Sequence, residues 1–64
     1  MAEYSKQELM EAERVIASLL SKCERAQEGL RPGSAQESLM VNRVRGLRLA
    51  LGLIRDAGLL ARDE

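Results

Sequence analysis

Residues 47–54 read LRLALGLI, and the fold turns on whether that octet is a strand or a helix. Its leucines alternate as Leu47, Leu49, Leu51 and Leu53, a period of two that in isolation signals a strand. At roughly 100° per residue, however, Leu47, Leu51 and Ile54 share one side of a helix while Leu49 and Leu53 fall nearly opposite. A lone strand would leave its backbone edges unpaired, and the chain offers it no partner. The flanking sequence is helical in pattern, so the octet reads as a helix with leucines on two sides. Gly46 and Gly52 oppose that reading, since each costs about 1 kcal/mol relative to Ala inside a helix.

The helix containing the octet should run from about 35 to 61. One seam along it is Met40, Val44, Leu47, Leu51, Ile54, Gly58 and Ala61, in alternating steps of four and three. Ahead of it, Ser34-Ala35-Gln36-Glu37 has the S-x-x-E spacing of a capping box, in which hydroxyl and carboxylate satisfy each other's backbone amides. Ser5-Lys6-Gln7-Glu8 has the same spacing and opens a first helix, expected over about 6–28. Tyr4 and Leu9 are placed to staple its start. The seam expected on this helix is Leu9, Ala12, Ile16, Leu19, Cys23, Ala26 and Leu30, widened by Val15 and Leu20. Residues 29–34 form the turn. Gly29 is a helix stop and Pro32-Gly33 is turn chemistry. So short a connection makes the helices antiparallel neighbours.

All 64 residues therefore read as one all-α domain, a helical hairpin. A chain of this length buries a modest core and needs a staple or a partner. Cys23 is the only cysteine and there is no histidine, so neither a disulfide within the chain nor a metal site is expected. Oligomerisation remains. Leu39, Gly46, Leu53 and Leu60 recur every seven residues on the side away from the seam, with Leu49 alongside. Burying one leucine is worth roughly 1.5–3 kcal/mol, in a domain whose whole stability is of order 5 kcal/mol. The stripe is expected to carry a homodimer, two hairpins forming a four-helix bundle. Gly46 and Gly52 would allow close approach, and Asn42 would set register as a buried Asn does in coiled coils. Scattered exposed leucines are also ordinary on monomers, Asn42 and Gln36 are commonly solvated, and the wide faces of both helices offer another way to pair.

Ten basic and ten acidic residues leave no net charge, which disfavours nucleic acid and strongly charged partners. The first helix is slightly acidic, and Arg43, Arg45, Arg48, Arg55 and Arg62 make the second basic. Arg48, Arg55 and Arg62, seven apart, are expected to flank the seam and meet glutamates of a neighbouring helix. As an alternative, Arg43, Arg45, Arg48 and Arg55 could track phosphates, although no stacking aromatics accompany them. No phosphate loop or paired-carboxylate motif is present, Cys23 lies on the seam as a small hydrophobe, and neither enzyme activity nor a cofactor is expected. Leucines split between two sides, with no Trp or Phe, make a poor membrane-surface helix. The acidic start, MAEYSKQELMEAE, is unlike a signal peptide, and no apolar run reaches membrane length, which points to the cytoplasm.

PGSAQESLMVNRVRGLRLALGLI, residues 32–54, resembles short uncharacterised bacterial two-helix proteins: a Pro-Gly-Ser turn, then Gln, Leu, Asn-Arg and an apolar helix. The likeness extends loosely over residues 4–54 and implies a helical pair with no activity to carry over. In layout alone, the expected dimer is similar to the plasmid copy-number regulator Rop. The two-helix phosphatases of the sporulation phosphorelay carry Ser-Gln-Glu-Leu-Asp on their second helix. Gln36-Glu37-Ser38-Leu39 has a different order and lacks the aspartate. The sequence reading is thus a dimerising protein–protein interaction module, with a nucleic-acid-binding regulator as the alternative.

Overall fold

The structure, a computed structural model, describes residues 4–60. Two helices, α1 (Lys6–Glu28) and α2 (Ala35–Leu60), pack along one another, and there is no strand among the described residues. The octet 47–54 is helical throughout. Ala61 and Arg62 lie outside the described residues.

Both helices begin as their sequences dictate. The Glu8 amide donates to Ser5 Oγ at 3.1 Å and the Ser5 amide donates to Glu8 Oε1 at 3.1 Å, a complete capping box. Tyr4, before the cap, stays mostly in water, so a staple to Leu9 covers little of its ring. At α2 the Glu37 amide donates to Ser34 Oγ at 3.1 Å, but Glu37 Oε1 accepts from the Gly33 amide, at 2.8 Å, instead of from Ser34. The reason lies in the turn: the Ser34 amide already donates to the Arg31 carbonyl at 3.1 Å. Pro32 and Gly33 occupy the two central positions of that turn, and Gly33 has φ of 83°, as a type II turn requires of its third residue. Gly29 ends α1 without using such freedom. Its φ and ψ of −86° and −1° are right-handed. The amides of Gly29 and Leu30 close the last turn on the carbonyls of Ala26 and Gln27, the tighter i to i+3 pattern common at helix ends.

The core is a single row between the helices: Leu20 and Cys23 from α1, Val44 and Leu51 from α2, with Ile16, Ala17, Met40 and Leu47 packed against it. On α2 this is the seam expected from the sequence. On α1 it is not. Leu19 is 44 % exposed and Ala26 is exposed, whereas Leu20 is buried. The row Leu9, Ile16, Cys23 and Leu30 can be completed by residues three positions on (12, 19, 26) or four positions on (13, 20, 27). The structure takes the second set. That choice turns Glu13 and Glu24 toward α2, where Arg55 Nε donates to Glu13 Oε2 at 3.0 Å and Arg48 Nη2 donates to Glu24 Oε2 at 2.6 Å. Sequence order runs oppositely along the two members of these pairs, which makes the helices antiparallel.

The hairpin measures 47 × 20 × 14 Å, with a radius of gyration of 14.5 Å, where a compact fold of 64 residues would have about 11 Å. It is one helix thick, since a helix with its side chains is about 10–12 Å across. A single layer cannot cover both sides of either helix.

Candidate interaction surface

The expected stripe on α2 is open to solvent. Leu39, Leu49 and Leu53 are 64 %, 67 % and 62 % exposed, and Asn42, Gly46 and Gly52 are exposed with them. Helical spacing puts Leu39, Asn42, Gly46, Leu49 and Leu53 on the back of α2, away from Val44 and Leu51, whereas Gly52, expected with them, falls on the flank that carries Arg45 and Arg48. Leu60 is the last residue of α2, and its side chain lies outside the described residues. The glycines matter here for what they lack. A Cβ added at Gly46, Gly52 or Gly58 would meet nothing within 4 Å, so no approach inside the hairpin requires a glycine there.

α1 contributes exposed apolar groups that heptad spacing alone would place on or beside the seam. Leu19 is the clearest, with Val15 one turn before it. Sequence alone could not separate Leu19 from Leu20, two adjacent leucines with equal claims on the seam. With Leu20 inward, Glu24 and Glu13 come within reach of Arg48 and Arg55.

The four candidate phosphate contacts divide. Arg48 and Arg55 are engaged by Glu24 and Glu13, while Arg43 and Arg45 are exposed on different flanks of α2. Gln36 is exposed as well. Cys23 is buried in the core as a free thiol, packed as a small hydrophobe would be. Glu8 is held below the usual carboxylate range by the hydrogen bond from the Ser5 backbone amide and by the Ser5 side chain. That perturbation belongs to the helix cap.

At the open end of the hairpin a shallow groove of about 530 Å³ lies between the two helices, bounded by Leu9, Met10, Ile54, Gly58 and Leu59. Lys6 and the Glu13–Arg55 ion pair complete its lining. Among the described residues there is no group of three or more His, Cys, Asp or Glu side chains able to hold a metal ion. No helix among them is long and apolar enough to cross a membrane. Compared with protein-family models, with curated proteins and with solved structures, the chain finds no match.

Proposed function

We propose that this chain is a non-enzymatic protein–protein interaction module that acts as a homodimer, two hairpins assembling into an antiparallel four-helix bundle in the cytoplasm. The observation that carries this is the exposure of Leu39, Leu49 and Leu53, each about two-thirds open, on a helix whose opposite side is already committed to α1. Each such leucine is worth roughly 1.5–3 kcal/mol when buried, and a hairpin one layer thick has nothing of its own to cover them. Gly46 supports the reading, because a residue costly to a helix serves no packing within it and lies on the column of Leu39 and Leu53.

The nucleic-acid alternative keeps Arg43 and Arg45 but loses Arg48 and Arg55 to their carboxylate partners. Two arginines on separate flanks make a weak phosphate track, and the chain has no net charge to reinforce it. The readings separate in two measurements. A dimer that unfolds to two chains has a melting midpoint that rises with protein concentration. A nucleic-acid binder is retained on heparin, and its affinity falls linearly in log–log terms with salt. The interaction module shows the first behaviour and elutes from heparin at low salt.

A further inference from the structure

The ion pairs distinguish the two broad faces of the hairpin. Glu24 and Glu13 meet Arg48 and Arg55 on one of them. On α1 the column through Leu19 lies across the seam from the column through Glu24, and Val15 lies just outside it. On α2 the column through Ala50 lies across the seam from the column through Arg48, and Leu39 and Leu53 lie just outside it. The antiparallel arrangement puts those residues of both helices on the same side, away from the ion pairs. One broad face therefore carries the ion pairs, with Met10 and Leu59 exposed toward its open end, and the other carries the exposed Val15, Leu19, Leu39 and Leu53 together with Arg43.

We propose that this second face, built from Val15 and Leu19 of α1 and Ala50 and Leu53 of α2, docks on the same face of a second copy, with the two α1 helices antiparallel about Val15. The inference rests on the self-association reading above and specifies which surface does it: the face shared by both helices, rather than the back of α2 alone. One feature fits a second copy as occupant. Glu8 and Lys22 lie on the column of Val15, seven residues to either side. A twofold axis at Val15 brings Glu8 of one copy opposite Lys22 of the other, twice, so the face is complementary in charge to itself. Arg43, seven residues before Ala50, lies on the same column toward the loop end.

The test places single cysteines on the full chain and exposes them to oxidised glutathione, leaving Cys23 in its buried position. Val15→Cys is expected to form a covalent dimer quickly, and Leu49→Cys, on the back of α2, more than tenfold more slowly. In parallel, Leu19→Glu should halve the mass seen by light scattering while keeping its helical circular dichroism, and Leu59→Glu, on the other side of α2, should leave the mass unchanged. A native dimer in which Leu49→Cys cross-links faster than Val15→Cys overturns this face and leaves self-association standing. A native chain that is monomeric at high concentration overturns both. The cross-linking comparison needs no charged substitution, so it decides the matter even where Leu19→Glu fails to fold.

Discussion

Arg48 of α2 and Glu24 of α1 meet across the hairpin, Nη2 to Oε2 at 2.6 Å, with Arg48 mostly in water and Glu24 partly covered. With Arg55 and Glu13 this contact marks which way α1 is turned and which broad face carries the ion pairs. Exposed pairs of this kind contribute about 0–1 kcal/mol, so their weight lies in orientation. Replacing Arg48 by Ala should lower the urea midpoint by an amount equivalent to less than about 1 kcal/mol. The loss should shrink in 1 M salt, where screening reaches about 3 Å. A double-mutant cycle with Glu24→Gln measures the coupling directly.

Leu19 and Leu20 are adjacent leucines with different expected costs. Leu20→Ala removes a buried side chain and should destabilise by about 2–5 kcal/mol, enough to unfold much of so small a domain. In the separated hairpin, Leu19→Ala should cost far less. Denaturation of both variants at low protein concentration checks the orientation of α1.

The glycines make a paired prediction. Gly52→Ala should raise hairpin stability by up to about 1 kcal/mol, the helix-propensity gain, because its added methyl meets nothing. Gly46→Ala should give the same gain to the isolated hairpin but weaken association, since Gly46 lies on the column of Leu39 and Leu53. Gly33→Ala should destabilise by about 1–2 kcal/mol, the usual cost of a side chain in left-handed backbone, because φ there is 83°. Thermal melts at several concentrations separate the three.

The Ser5–Glu8 box predicts a pH dependence. The Glu8 carboxyl is depressed in the folded chain, chiefly by the Ser5 backbone amide. An acid whose folded pKa lies below its unfolded value adds stability above the unfolded pKa and loses it as pH falls through the folded one. Glu8→Gln should therefore remove part of the difference in melting temperature between pH 7 and pH 3. Ser5→Ala should cost about 1 kcal/mol at pH 7.

Much of this architecture is legible in the residues themselves. The S-x-x-E spacings mark both helix starts, Pro32-Gly33 marks the turn, and the Met40–Val44–Leu47–Leu51–Ile54 row marks the inward side of α2. The ambiguity of LRLALGLI disappears once its neighbours are read at helical spacing. What sequence leaves open is rotation. The row through Ile16 and Cys23 can take Leu19 or Leu20, and periodicity weighs the two equally. The rotation seen brings carboxylates to arginines on another helix, a relation between residues 24 and 42 positions apart that periodicity along one helix does not contain. The same rotation determines which apolar side chains remain outside. A stripe drawn on α2 alone therefore captures only part of the open surface that the two helices share.

The most direct test of the central claim, that this hairpin is half of a bundle, is sedimentation equilibrium of the unmodified chain across a wide concentration range. A bundle of two hairpins gives a mass of twice 7.1 kDa that falls only on dilution. A single species of 7.1 kDa, helical and stable at the highest concentration, would contradict it.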